Sequence, residues 1–187
     1  MQDPNMEALL HEILSYRCPR YEELPTIPLY SDQVIEALNR YTAPFFPPKE
    51  EQAITAAMIN NYVKQRLITP PVKKRYDREQ LARLYCICLL KQVFSISEIR
   101  GLMEVQTSSY PFPKAYDYFC VELEKALHTT FSTRDFSAPS SATRVTPESE
   151  LVRIAALCFA NKMFALKFLD YVDALPDLHN GEGPHTV

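Results

Sequence analysis

Basic residues cluster between positions 60 and 83 of this 187-residue chain. The window holds seven cations and two acids, so its charge is +5, whereas the net charge of the whole chain is −3. The cations are Lys64, Arg66, Lys73, Lys74, Arg75, Arg78 and Arg83. A basic region in an otherwise acidic chain is typical of a surface that binds phosphate groups.

The cluster begins on a short predicted helix, about residues 55–66, for which Thr55 is the expected N-cap. Residues at i, i+3, i+4 and i+7 share one helix face, and here they are Ala57, Asn60, Asn61 and Lys64. Met58, Ile59 and Tyr62 lie on the opposite side and are expected to pack on the core. An Asn can pair with adenine, and a Lys can contact guanine or phosphate. The spacing therefore predicts a recognition helix that enters the major groove.

A short alternating segment, residues 70–76, follows this helix and is interpreted as a basic wing. Alternation predicts that Val72 and Tyr76 face inward while Lys73 and Arg75 project outward. The residues expected to contact the phosphate backbone beside the groove are Lys73, Lys74 and Arg75. A solvated surface helix followed by an ordinary charged turn is the alternative interpretation.

The residues that usually carry catalysis or bind metals are scattered in this sequence. Cys86 and Cys88 lie two residues apart on a predicted helix, so their side chains point about 200° apart and cannot chelate one ion together. The four histidines are far apart, and no His-x-x-x-His, Cys-x-x-Cys or Gly-x-Ser-x-Gly pattern occurs. We therefore expect no enzymatic activity, no cofactor and no metal site.

The chain has only 3 glycines but 15 prolines, which predicts a mainly α fold punctuated by proline-rich connections. An N-terminal helix from Asp3 to Tyr16 and an extended arm occupy residues 1–30. A winged helix-turn-helix occupies residues 31–107, with Ser31 capping its first helix. Residues 108–175 form a C-terminal helical region for dimerisation or effector binding, and residues 176–187 form a flexible tail.

Three helices are predicted after the wing, and caps are identified for the first two. Asp77 caps the first, and the capping box Ser95–Glu98 starts the second, which ends at about Glu104. A break at 107–113 precedes a third helix. Its aromatic residues could line a pocket for an unidentified small-molecule effector or belong to the core, and they are Tyr110, Phe112, Tyr116, Tyr118 and Phe119.

A flexible linker, residues 132–147, is expected before the last helix, about Glu148 to Leu169. This helix carries bulky apolar residues nearly all round, so it needs burial on more than one side. We expect it to join two chains in a homodimer. The alternative is that it is the central core helix of a monomer.

The beginning of the sequence has no signal-peptide pattern, and no apolar run approaches about 20 residues. The five cysteines are an odd, scattered set, which is not a disulfide framework. We therefore expect a cytoplasmic protein with reduced thiols and no contact with a membrane.

Two motifs resemble those of an uncharacterised bacterial family, the domain of unknown function 1836. They are Leu24-Pro25-x-Ile27-x-Leu29-Tyr30-x-Asp32-Gln33-Val34 and Met58-Ile59-Asn60-Asn61-Tyr62-Val63-Lys64. The second motif, the run Lys74-Arg75-Tyr76-Asp77 and the stretch from Val93 to Leu102 are also similar to the winged helix-turn-helix of MerR-type regulators. This resemblance implies a MerR-like fold with a short β wing and additional C-terminal helices.

The basic cluster and the resemblance together predict a sequence-specific regulator of transcription that binds double-stranded DNA. The competing hypothesis is a helical protein-interaction module without DNA binding, in which the basic cluster is incidental. Salt-dependent binding to duplex DNA separates the two, because phosphate contacts release counterions.

Overall fold

The computed structural model describes residues 10–46, 53–137 and 139–173, and these ranges are mainly helical, as predicted. In chain order the elements are β1 (Leu29–Tyr30), α1 (Ser31–Thr42), α2 (Ala56–Lys64), β2 (Arg75–Tyr76), α3 (Arg78–Leu90), α4 (Ile96–Ser109), α5 (Phe112–His128) and α6 (Pro147–Asp173). The predicted cap at Asp3 and the predicted flexible tail lie outside the described residues.

Side-chain caps fix the starts of three helices. The Thr55 hydroxyl accepts a hydrogen bond from the Met58 amide at 3.3 Å and so starts α2. At α3 the Asp77 carboxylate accepts from the Gln80 amide, and the Gln80 side-chain oxygen accepts from the Asp77 amide, both at 2.8 Å. Ser95 and Glu98 form the same kind of reciprocal capping box at the start of α4. These bonds satisfy backbone donors that have no partner within the helix, and they confirm the three predicted caps.

The predicted cap of α1 is displaced by one residue. Ser31 is the first helical residue, and Tyr30 occupies the N-cap position. The Tyr30 amide donates to the side-chain oxygen of Gln33 at 2.9 Å. Because Tyr30 also pairs with Arg75 in the sheet, the strand runs directly into the helix and leaves no room for a separate capping residue.

The two strands form a small antiparallel sheet in which Leu29 pairs with Tyr76 and Tyr30 with Arg75. Tyr76 is buried, as the alternation predicts, but the prediction for Val72 is wrong, because its side chain is 75% exposed. Lys73 and Lys74 form a tight turn between Val72 and the strand, so strict alternation does not apply there.

Helix α3 lies at the centre of the core. Every residue from Leu84 to Leu90 is buried, and the helix contacts α1, α5 and α6. The Tyr85 hydroxyl meets the Tyr16 hydroxyl at 2.5 Å, and Tyr16 donates to the Tyr41 carbonyl at 2.8 Å. Such hydrogen bonds offset the cost of burying the phenol groups.

The C-terminal helices are longer than predicted. Helix α4 continues to Ser109, so the predicted break at 107–113 shrinks to residues 110–111, and α6 continues to Asp173. Helices α5 and α6 pack along each other. Within the described ranges, no helix combines the length and the apolar character needed to cross a bilayer.

Candidate functional site

Helix α2 presents a polar face to solvent. Its buried side consists of Ile59 and Tyr62, with Met58 partly buried, which is the orientation that the spacing predicts. The predicted site residues on the other side are all exposed, and they are Ala57, Asn60, Asn61 and Lys64. The start of the helix is tied to α3 by Lys91, whose ammonium group donates to the Ala53 carbonyl at 2.7 Å.

The end of α2 is closed by a Schellman motif. The Leu67 amide donates to the Tyr62 carbonyl and the Arg66 amide donates to the Val63 carbonyl, both at 3.0 Å. Arg66 has a φ of 59°, in the left-handed region where glycine is usual at this position. Arg100 of α4 donates to the Gln65 carbonyl, so the helix end is also held from outside.

The connection from α2 to the strand is anchored on α3. Leu67 and Ile68 are buried, and the side-chain amide of Gln80 donates to the carbonyl of Thr69 at 2.8 Å and to its hydroxyl at 3.0 Å. Gln80 is itself 4% exposed. This short connection therefore holds the strand β2 in a fixed position relative to α2.

A two-residue turn lies before β2. Val72 and Arg75 exchange backbone hydrogen bonds of 3.0 and 2.9 Å, and the central residues Lys73 and Lys74 have φ values of 50° and 62°. Positive φ at both central residues identifies a type I′ turn, for which Asn-Gly is the favoured sequence. Here two exposed lysines occupy those positions.

Arg75 follows the turn and is held across the sheet by Tyr30. Its guanidinium donates to the Tyr30 hydroxyl at 2.9 Å and lies 4.8 Å from the centre of the same ring. The Arg75 side chain remains exposed. A cation–π contact of this kind orients the guanidinium without neutralising its charge.

The structure divides the seven clustered cations into two groups. Arg78 pairs with Glu22 at 2.7 Å and Arg83 with Glu79 at 2.8 Å. In the described ranges no carboxylate lies within ion-pair distance of the other five, which are all exposed. We call these five the basic surface, and they are Lys64, Arg66, Lys73, Lys74 and Arg75.

Three members of the basic surface occupy strained backbone positions. Every non-glycine residue with positive φ among the described residues is a cation, and only Arg134 lies outside the basic surface. A side chain in this region costs roughly 1–2 kcal/mol. Glycine or asparagine would lower that cost at Arg66, Lys73 and Lys74, and strain of this kind concentrates at functional sites.

Two features of this surface were missed by sequence reasoning. Arg66 was counted among the clustered cations but not placed in the site, because its left-handed conformation depends on the Schellman motif. The apolar pair Tyr62 and Leu67, which flanks that motif, is a signal that could have located it. Nothing in the local sequence indicates that Tyr30 holds Arg75, because the two residues are 45 positions apart.

The thiols predicted to be core residues are buried in the structure. Burial raises the pKa of the Cys88 thiol to about 12 and also raises the pKa of Cys86, so both remain neutral at ordinary pH. In the part of the chain that the structure describes, no group of three or more His, Cys, Asp or Glu side chains is arranged to hold a metal ion.

Comparison with protein families gives a match for the first part of the chain. The family model described as Domain of unknown function (DUF1836) matches residues 19–119, slightly more than half of the 187 residues. The matched range contains both strands, the helices from α1 to α4 and the whole basic surface. Neither the curated proteins nor the solved structures yield a match.

Proposed function

The chain belongs to the family of the domain of unknown function DUF1836, and we propose that it is a sequence-specific DNA-binding regulator of transcription. The observation that carries this proposal is the set of three exposed, unpaired cations at left-handed backbone positions next to α2. Protein stability alone favours glycine or asparagine at such positions. The presence of Arg66, Lys73 and Lys74 at these positions is explained if their charges bind phosphates.

The order of elements supports a MerR-like winged helix-turn-helix. Helix α1 follows a strand directly, α2 packs against α1, and a tight hairpin turn then leads to β2, which pairs with the strand before α1. In this proposal α2 is the recognition helix and residues 70–76 are the wing. The helix has nine residues and is therefore about 14 Å long, at 1.5 Å per residue.

Each residue of the site has a distinct proposed role. Asn60, Asn61 and Lys64 read base edges in the major groove, where an amide can make a bidentate pair with adenine. The small side chain of Ala57 permits close approach of α2 to the DNA. Thr55 caps the helix, and the positive N-terminal end of the helix is suited to a phosphate. The residues that contact the phosphate backbone are Arg66, Lys73, Lys74 and Arg75.

Selection of bound fragments from random duplex DNA, followed by fluorescence anisotropy, tests this proposal. We expect one recurring motif. Asn61→Ala is expected to relax preference at one base pair by about 1–3 kcal/mol, whereas Lys73→Gln weakens binding to all sequences alike. Lys125→Ala, which removes a cation from α5 outside the basic surface, serves as the matched control. Absence of salt-dependent DNA binding by the folded protein contradicts the proposal.

We also propose that the active form is a homodimer joined through α6. Exposed side chains on one face of α6 recur at helical spacing, and they are Leu151, Ile154, Cys158, Ala165 and Leu169. The stripe is about 27 Å long at 1.5 Å per residue. Lys162 lies beside this face but is folded away, since its ammonium group donates to the Gln92 carbonyl.

A second copy of the same helix is a suitable occupant for this stripe, because an apolar stripe without exposed charges along its centre is self-complementary under two-fold symmetry. Dimerisation would present two recognition helices to half-sites about 34 Å apart. The alternative, a protein-interaction module, uses the same stripe for a different chain. It is favoured if the protein is monomeric and does not bind DNA.

A further inference from the structure

A cleft of about 790 Å³ opens on the side of the molecule formed by α4, α5, residues 141–146 and the first turn of α6. It contains none of the residues of the basic surface. Its walls combine aromatic rings with cations, and the residues that line it include Gln106, Tyr110, Lys114, Tyr118, Val121 and Arg144.

The charge balance inside the cleft favours an anion. Lys114 and Arg144 are exposed cations, and no carboxylate of the described ranges lies within ion-pair distance of either. Asp117 also borders the cleft, but its carboxylate already accepts a hydrogen bond from the Tyr21 amide at 2.8 Å. The carboxylate, sulfonate or phosphate group of a ligand would therefore lie near two cations and near one carboxylate that is already hydrogen-bonded.

The rest of the cleft suits an apolar body. The Tyr110 ring lies 5.4 Å from the Lys114 ammonium group, and Val121 is 40% exposed. Behind Gln106 and Ala115, which line both spaces, lies a further cavity of about 60 Å³ with almost entirely apolar walls. An aromatic or aliphatic group in the cleft would have apolar surface on several sides, which is typical of sites for small organic ligands.

The outer wall of the cleft is held in place by a buried carboxylate. Glu122 is 2% exposed, and its oxygen accepts hydrogen bonds from both the amide of Ser141, at 2.7 Å, and the Ser141 hydroxyl. Tyr118 and Ser140 join their hydroxyls at 3.3 Å. The predicted flexible linker is therefore attached to α5 at this point, and these contacts hold the outer wall of the cleft.

We propose that this cleft binds an organic anion with an aromatic or aliphatic body. Lys114 and Arg144 hold the anionic group, and the rings of Tyr110 and Tyr118 contact the body. Helix α4 borders the cleft through Gln106 and also holds the end of α2 through Arg100. One helix thus contacts both the ligand site and the proposed recognition helix.

Two fluorescent probes that differ by one group test this proposal with the full chain. The anion 8-anilinonaphthalene-1-sulfonate and the neutral N-phenyl-1-naphthylamine share the same aromatic body. We expect the folded protein to bind the anion at one saturable site. In the double variant Lys114→Ala/Arg144→Ala the affinity for the anion falls about tenfold, since charge-assisted contacts are lost, while the affinity for the neutral probe stays the same.

Lys125→Ala is the matched control, because it removes a cation from the same helix outside the cleft, and it should change neither affinity. Circular dichroism verifies that each variant is folded. Three results overturn the proposal: no saturable binding of the anion, an unchanged affinity in the double variant, or an equal loss in Lys125→Ala. No DNA is present in the assay, so its outcome is independent of the proposed DNA binding.

Discussion

Replacement of the turn lysines by the sequence that the turn prefers, Lys73→Asn/Lys74→Gly, should stabilise the protein and weaken DNA binding at the same time. Both lysines have positive φ. Asparagine and glycine adopt this conformation at lower cost. Glycine, however, loses more conformational entropy on folding than other residues, which offsets about 0.5–1 kcal/mol of the gain. We expect a net stabilisation of about 1 kcal/mol, or about 2–4 °C in Tm for a chain of this size.

The loss of DNA binding follows from counterion release. The four proposed phosphate contacts, by Arg66, Lys73, Lys74 and Arg75, would give a slope of log K against log salt of about −3.6 per protomer. The affinity of the wild-type protein should then fall roughly 150-fold between 50 and 200 mM salt. With the two lysine contacts removed, the slope becomes about −1.8 and the affinity falls only about 12-fold over the same salt change.

Thermal unfolding and a salt series of anisotropy titrations on the selected duplex measure the two effects. Arg134→Gly is the control, since it also removes a cation from a left-handed position, with φ of 54°, but outside the basic surface. It should raise Tm and leave the salt slope unchanged. A double variant that is more stable but keeps the slope of the wild-type protein would refute the phosphate contacts, and a less stable one would refute the argument from backbone strain.

Three further predictions concern the dimer, the cap of α2 and the N-terminal arm. Cys158 is exposed, whereas the other four cysteines are buried, and it lies near the middle of the apolar stripe on α6. A short bismaleimide should therefore cross-link two chains if the proposed dimer is antiparallel, and Cys158→Ser should abolish the cross-linked product. Wild-type protein that stays monomeric after treatment contradicts this arrangement. Thr55→Ala should cost about 1 kcal/mol of stability in denaturant unfolding, while Thr55→Ser costs much less, and equal losses would argue against the cap. Glu124 pairs with Arg20 at 2.6 Å and accepts from the Cys18 amide at 2.7 Å, so Glu124→Ala should destabilise the protein by about 2 kcal/mol; a change below the error of the unfolding curve would show that the arm is not held there.

The elements that sequence reasoning predicted well depend on short-range chemistry. The caps at Thr55, Asp77 and Ser95 each bond to an amide three residues later, so the whole interaction lies within one turn of sequence. The two faces of α2 also follow directly from helical spacing. Such signals need no knowledge of the rest of the fold.

The end of α4 was predicted incorrectly because side-chain hydrogen bonds within the helix and one contact with α6 outweigh weak helix propensity. A Thr-Ser-Ser run favours a break, yet Thr107 donates its hydroxyl to the Met103 carbonyl at 2.9 Å, and Ser108 donates to the Val105 carbonyl at 2.8 Å. Gln106 donates to the Glu148 carbonyl at the start of α6, at 2.7 Å. The helix therefore continues until Pro111, which follows its C-cap residue.

The segment from 132 to 147 shows most clearly what composition cannot reveal. Its richness in Ser, Thr, Ala and Pro predicts a flexible linker. The structure attaches the segment by polar groups instead, since the buried carboxylate of Glu122 accepts from the Ser141 backbone and hydroxyl. A carboxylate this deep in the protein is costly unless it is hydrogen-bonded. The contact therefore has two effects: Ser141 offsets the cost of burying Glu122, and Glu122 holds the segment against α5. Because the two residues are 19 positions apart, only the fold brings them together, and the wall of the proposed ligand cleft depends on that contact.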